Sequence, residues 1–451
     1  MNTTQSKIQE GCEFDNTRIR SQSSGPVIPL ILVAAAMELL YLWMLRLSNL
    51  KEHVETVILL VLLQGILYFV SVYFGDKISP RRAHLILIFL AAAVFRLTLF
   101  PLYPSLSDDP YRYRWEGKAQ QAGLNPYSIK PSDPAMAFLK DETFPSVSGP
   151  GYSTIYGPFL EEVFWVSFVL LKKVVAMKLP FVLFDLGIVL VLFRLLPALG
   201  VSPTRAIIYA WSPLTVVEFA ASGHNDSLAV LAFVLALWWY HKRQERLSIA
   251  ALALAALTKI YALFLFPVFV LRTSWRFIWI PALFAAVVFA PYGGGWRDLI
   301  VGLSNYGKNW KNNESLYLVI RHLTASDSQA GKLYLAIIIA TMLYCTARKL
   351  APERAAYLIL GTIILFSPNV FPWYLTWIVP LLAIYPNPGW MLLTITAFLS
   401  YHVLIPYRSL GLWQENHFFT VLEYVPFYGL LIGEYLAAKL RRHLKKGKFC
   451  D

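Results

Sequence analysis

Two adjacent carboxylates, Asp108 and Asp109, stand in the run SLSDDPYRYRWEGKAQQAGLNPY at 105–127. Pro110 follows an aspartate and precedes a stretch free of Gly and Pro, which marks a helix start. Gly123, with Pro126 beyond, marks its end, so a helix is expected over 110–122. Asp109 falls at the N-cap of that helix. Asp108 is left without that task, either as a solvated loop carboxylate or second cap, or as a general base for a hydroxyl nucleophile. A capping carboxylate is held by backbone amides and is the poorer base, which divides the pair into Asp108 as base and Asp109 mainly as cap. Arg112 lies in the first turn, where the backbone amides already favour an anion, and together they would form a phosphate site. Arg112 is also one turn from Glu116, at ion-pair spacing, and both readings are compatible. Tyr111, Trp115 and Ala119 share a face suited to resting on the membrane or on other spans.

Three further runs carry candidate groups. In SGHNDSL (222–228), Asn225 or Asp226 is placed to cap a following span. His224 is a ligand, an acid/base group, a donor to a sugar hydroxyl, or simply an interfacial histidine. His224 and Asp226 with Asp108 would supply metal-ligand chemistry if the fold brought them together, so a divalent cation is admitted but no cofactor is required. In LTKIYALFLFP (257–267), Lys259 stands amid apolar residues. Such a lysine either faces a polar cavity or an anion, or snorkels to the surface. In FSPNVFPWYLTWIVP (366–380), Trp373, Tyr374 and Trp377 surround a proline-broken turn, as an aromatic belt or as a wall for a lipid chain or sugar ring. PYGGG (291–295) lacks the lysine and the preceding strand of a phosphate loop, and a turn leaving the bilayer explains it.

The elements that must position these groups are membrane helices. Of 451 residues 57% are hydrophobic and only 15% charged, too few to cover the surface of a soluble protein of this size. The net charge of +13 would suit nucleic acid, but the basic residues lie in short loops between apolar runs, so no nucleic-acid partner is expected. Cys12, Cys345 and Cys450 are far apart and give neither a disulfide framework nor a zinc site. About twelve spans are expected, at 27–47, 55–74, 84–102, 179–196, 204–219, 227–241, 275–290, 331–347, 353–367, 371–386, 390–406 and 419–438. The segment 247–271 is either one span with a buried lysine or a re-entrant pair of half-helices meeting at Lys259. With the hairpin, the basic loops 75–84, 241–246, 272–276 and 347–354 all fall inside the cell. The same parity needs 158–178 not to cross; its nine-residue apolar core is too short and suits an interfacial helix. Residues 1–26 and 439–451 are then cytosolic tails flanking one all-α membrane domain, 27–438. The loops 103–178 and 291–330 lie outside, and the first is the more polar.

The runs SDDPYRYRWEGKAQQAGLNPY, IYGP (155–158), SGHND, LTKIYALFLFP and PNVFPWYLTW resemble the lipid-linked-sugar glycosyltransferases of the GT-C fold. Within them the chain is most similar to the bacterial mannosyltransferase-like group, distant relatives of the mannosyltransferases of glycolipid-anchor assembly. The resemblance covers roughly residues 84–380. It implies a polyprenyl-phosphate-sugar donor, a lipid or glycan acceptor, inversion at the anomeric carbon, and an active site outside the cytosol, here on the periplasmic side of a bacterial inner membrane. Carried over by position, Asp108 matches the family's loop aspartate, which serves as catalytic base, and Asp109 the acidic residue beside it. Lys259 falls where relatives place a cation near the donor phosphate. Tyr156 in IYGP, His224, Asn225 and Asp226 in SGHND, and Trp373 and Tyr374 are the accompanying substrate-contact candidates. The alternative is a transporter or flippase of a lipid-linked saccharide, which would suit the spans and the intramembrane lysine but predicts paired halves that the sequence lacks.

Overall fold

A computed structural model describes residues 27–324 and 326–447. The expected tail 1–26 and the last four residues of the basic tail lie outside it. The described chain is helical, as hydrocarbon requires: without water, each backbone N–H and C=O must find its partner within the segment. The principal helices are α1 (Val27–Arg46), α2 (Val54–Gly75), α3 (Arg82–Leu99), α4 (Asp109–Gln121), α5 (Pro158–Leu171), α6 (Leu179–Ala198), α7 (Asp226–His241) and α8 (Glu245–Thr258). They continue with α9 (Trp279–Phe289), α10 (Gly295–Asn309), α11 (Asp327–Ala347), α12 (Pro352–Leu365) and α13 (His417–Gly447). Among the described residues, seven helical segments are long and apolar enough to cross a membrane by themselves.

Other expected spans are shorter or broken. The stretch 204–219 is a chain of short pieces, Pro203–Ala206, Ile207–Ala210, Pro213–Val216 and a π-helical turn Val217–Ala221. Pro203 and Pro213 restart the helix each time. Nearly all of this stretch is buried, which is where broken backbone is tolerated in a membrane protein. The final helix runs past residue 438, so the expected start of the C-terminal tail is helical.

Contacts between loops sort the chain into two ends. At one end the α1–α2 tip meets the long loop, where Leu50 N–H donates to Ser105 Oγ at 2.9 Å. There too Asn125 Nδ2 donates to Tyr292 O at 2.9 Å and Val370 N–H to Asn312 O at 2.9 Å. At the other end Arg205 pairs with Asp76 at 3.0 Å, and His241 with Glu353 at 3.1 Å. Ser274 N–H donates to Glu245 Oε2 at 2.9 Å at that same end. Successive connections therefore alternate, and 245–274 leaves and returns to one end. α8 stops at Thr258, Lys259 is extended (φ −139°, ψ 126°), and the chain resumes at Ile260. Of the two readings of 247–271, the hairpin is the one that forms.

α5 also begins and ends at the long-loop end. Gly157, before its first turn, lies against the tip of the 245–274 hairpin, where a Cβ would come 1.9 Å from Leu257 O. Past its last turn, Lys172 O accepts from Arg114 Nε at 2.7 Å. α4 differs from expectation at two points. It begins at Asp109 rather than Pro110, and Asp109 is not its cap; Ser107 Oγ instead accepts from the Asp109 amide at 3.3 Å. Its Tyr111–Trp115–Ala119 face packs on Met136, Leu139 and Val147 of its own loop, not on spans. The opposite face does the membrane-side packing, with Tyr113 stacked on Phe164 of α5 at 4.4 Å.

Cysteines introduced at Gln244 and Ser274 should react with a membrane-impermeant thiol reagent from the same side as one another, and from the side opposite a cysteine at Asp133. Labelling of the first two from different sides would contradict the hairpin.

Candidate active site

At the long-loop end a cavity of about 980 Å³ opens among α4, the hairpin tip, α9, α10 and the 366–374 turn. Of the residues singled out in the sequence, Asp108, Asp109, Arg112, Tyr156, Lys259, Trp373 and Tyr374 line it. Along the 3₁₀ turn Ile260–Leu265 of the hairpin and α9 the wall is apolar, with Leu263, Phe264, Pro281, Ala285 and Phe289. Around the carboxylates it is polar and aromatic.

His224, Asn225 and Asp226 do not line the cavity; they form the layer behind it, each almost fully buried. The π-helical turn ends at Ala221, and Gly223 at φ +78° swings the chain into α7. A side chain there would be strained, and a Cβ would also press on Lys178 and Pro110. Asn225 occupies the N-cap position of α7 but its side chain makes no capping bond. His224 lies flat against Trp373, ring centroids 3.8 Å apart, and Trp373 lies flat against Phe371 at 4.3 Å.

The imidazole stands between two acids. His224 Nδ1 is 3.6 Å from Asp109 Oδ2 and Nε2 is 3.3 Å from Glu218 Oε2, both off the hydrogen-bond line. Glu218, on the π turn, accepts from Tyr401 Oη with both oxygens at 3.0 Å. Lys259 Nζ pairs with Asp226 Oδ2 at 3.1 Å, and Trp377 Nε1 donates to Asp226 Oδ1 at 2.7 Å. The lysine is thus neither isolated in apolar sequence nor snorkelling: it is held at the cavity wall by an acid behind it.

The two aspartates have different surroundings. Asp109 accepts from Tyr113 Oη at 3.2 Å and Ser148 Oγ at 3.4 Å. Burial alone would raise its pKa, but His224, Lys259 and Tyr113 together hold the carboxyl below its ordinary value. Asp108 makes no capping bond. Burial pushes its pKa up, the Lys51 ammonium pulls against that, and the neighbouring Asp109 charge adds to the rise.

Arg112, the expected phosphate ligand, lines the cavity but spends four of its five N–H donors within the protein. Nε binds Glu116, Nη1 donates to Ser148 O at 3.2 Å and Gly149 O at 2.9 Å, and Nη2 to Tyr152 O at 3.0 Å. The fork is occupied in tying the loop to α4, and the i,i+4 pair with Glu116 is what forms. Among the described residues no three His, Cys, Asp or Glu side chains converge as a metal site, so the His224–Asp226–Asp108 ligand set is not assembled.

Sequence reasoning missed Glu218, Tyr401, Tyr306 and Lys51. Glu218 carried a usable signal, a carboxylate inside the apolar run IIYAWSPLTVVEFAA. Tyr306, bonded to Tyr374 Oη at 2.9 Å and to Asn369 at 2.7 Å, and Lys51, on a loop tip, carried none.

An all-helical, membrane-embedded chain with an aspartate-bearing loop over a part-apolar, part-charged cavity is a membrane glycosyltransferase of the GT-C type. Comparison with known families makes this specific. Residues 31–274 match the alpha-(1->6)-mannopyranosyltransferase N-terminal domain, and residues 322–430 match the MptB C-terminal domain. The chain belongs to this mannosyltransferase family. No curated protein matches it.

Arg112→Ala would leave Glu116 buried without its cation, at a cost of roughly 3–5 kcal/mol. A clearly lowered unfolding temperature in detergent is expected; an unchanged one would mean that the loop does not depend on the fork.

Proposed function

We propose that the enzyme transfers mannose, with inversion, from a polyprenyl-phosphate-mannose to a hydroxyl of a lipid or glycan acceptor on the outer face of a bacterial inner membrane. The family's name gives an α-(1→6) product. Inversion then requires a β-linked donor and a primary 6-hydroxyl as nucleophile. The basic loops 75–84, 241–246, 272–276 and 347–354 gather at the end opposite the cavity, which supports an outward-facing site. Both matched segments contribute to one cavity, which supports a single catalytic unit over 27–438.

The observation that carries the mechanism is the contrast between the two aspartates. Asp108 lines the cavity, caps nothing, and has a carboxyl whose affinity for a proton is raised by burial. That is the condition of a general base. Asp109 is engaged by Tyr113, Ser148 and His224 and stays ionised, so its role is to stabilise and orient rather than to accept a proton. The acceptor oxygen forms its bond to the anomeric carbon as the carbon–phosphate oxygen bond breaks. The hydroxyl proton passes to Asp108, and the leaving polyprenyl phosphate takes the electron pair. Lys259, at the junction of the polar and apolar walls, is the cation placed for that phosphate. The apolar wall of the hairpin and α9 suits the polyprenyl chain, and Trp373, Tyr374 and Tyr156 offer faces to the sugars. The transporter reading finds no support in a family of transferases.

In a reconstituted assay with polyprenyl-phosphate-mannose, Asp108→Asn should lower turnover about 10²–10⁴-fold with the fold intact. Asp109→Asn should cost about tenfold, since an amide oxygen still accepts from Tyr113. The reverse order of severity would reject the assignment of the base, and Lys259→Ala should weaken use of the donor more than of the acceptor.

A further inference from the structure

The first helical pair, α1 and α2, lies within the matched segment 31–274, yet nothing in the reaction above uses it. Its tip nevertheless reaches the cavity. Asn49 Oδ1 accepts from the Lys51 amide at 3.2 Å, fixing a short 3₁₀ turn, Leu50–His53. Leu50 is buried, and its N–H donates to Ser105 in the approach to the aspartates. From the far end of the chain, Arg408 takes the carbonyls of Lys51 and Glu52 and the Glu55 carboxylate at 3.2 Å. The tip is therefore held from both sides in one position, far more firmly than a connecting loop needs.

What this fixation presents is Lys51. Its side chain is half-buried, lines the cavity beside Asp108, and lies 4.9 Å above the Tyr407 ring. Among the described residues it makes no ion pair with a carboxylate within 4 Å, unlike Lys259. The acids nearest it on the tip are otherwise placed, Glu52 exposed and Glu55 on Arg408.

We propose that the α1–α2 hairpin is a working part of the catalytic site, and that Lys51 is a positioning residue whose ammonium faces Asp108 across the cavity wall they share. The proposal rests on Asp108 being the base. The charges acting on Asp108 are Lys51 from the tip and Asp109 from α4; Tyr111 of α4 feels the Asp108 charge and Tyr103 lies near Tyr111, while Tyr407 and Arg408 stand behind Lys51. Of these, Lys51 is the one that favours the ionised carboxylate, against burial and Asp109. With it in place, the rise in the base's proton affinity is partly offset and its carboxylate has a fixed electrostatic counterpart until the acceptor hydroxyl arrives.

The sign follows. Removing a cation that lowers the pKa of a base raises that pKa, so the acid limb of kcat/KM moves to higher pH. Lys51→Met should shift it upward by about 0.5–1 pH unit, and Lys51→Arg should restore it. Asp109→Asn removes a like charge and should shift the limb the other way. If Lys51→Met lowers the unfolding temperature but leaves the limb in place, while Asp108→Asn abolishes it, the tip is merely structural and the proposal fails with the base assignment intact. If the limb survives in Asp108→Asn, the base itself is misassigned and both fall.

Discussion

Two buried cations hold the arrangement together, and neither touches the cavity. The broken stretch 203–221 interrupts helical hydrogen bonding in the middle of the bundle, where each unpaired carbonyl costs several kcal/mol. Arg96 of α3 donates to Ala210 O at 2.7 Å and Thr215 Oγ1 at 3.1 Å, and its charge is matched by Asp185 of α6. Lys178 donates to Ala220 O at 2.7 Å, Leu102 O at 2.6 Å and Ala221 O at 3.4 Å, all backbone oxygens. The lysine stem also packs under Gly223. Because the broken stretch is pinned in this way, the π turn can end where it does and α7 can begin with His224 and Asp226 aimed at the cavity wall.

From there the site is built in layers. Trp373 and Trp377 form the inner wall, His224 lying behind the first and the Asp226–Lys259 ion pair behind the second. Charges fixed behind apolar rings act in a low dielectric and need no rearrangement when charge develops in a reaction, which is the condition for strong electrostatic stabilisation. Tyr374, Tyr306 and Asn369 continue the wall through hydrogen bonds rather than stacking alone.

Much of this was legible in the sequence. The all-helical membrane bundle followed from apolar run length, although among the described residues seven helical segments rather than twelve are long and apolar enough to span alone. The basic loops gave a parity that works with a hairpin at Lys259 and with 158–178 not crossing, while one span with a buried lysine stayed open. The runs containing Asp108, Asp109, Lys259 and Trp373 were found by type and setting, and they do share one cavity. What failed was local. The proline of Asp-Asp-Pro suggested a cap at Asp109, but Ser107 takes the amide, and the aspartate has partners in Tyr113 one turn along α4 and in Ser148 and His224 from distant segments. Arg112 looked free for an anion, since the carbonyls of 148–152 that occupy it are set by loop path, which no periodicity encodes. His224 to Asp226 looked like a contact motif, and depth, the quantity that turns it into a supporting layer, is invisible in one dimension. Arg96, Asp185 and Glu218 stood in plain view as charges inside apolar runs, the pattern that most often marks a buried network.

The pairing of early and late segments has a consequence for how the protein is made. His224, Asp226 and Lys259 enter the membrane well before the residues that cover them, Trp373, Trp377 and Tyr401. Until those later spans arrive, the nascent chain must carry acids and a histidine at the bilayer edge without their aromatic cover. A ribosome that stops short of residue 377 therefore releases a chain with exposed polar groups, the kind of fragment that membrane quality control removes. The wall that completes the cavity also closes the last interval in which the half-built enzyme can be recognised as unfinished.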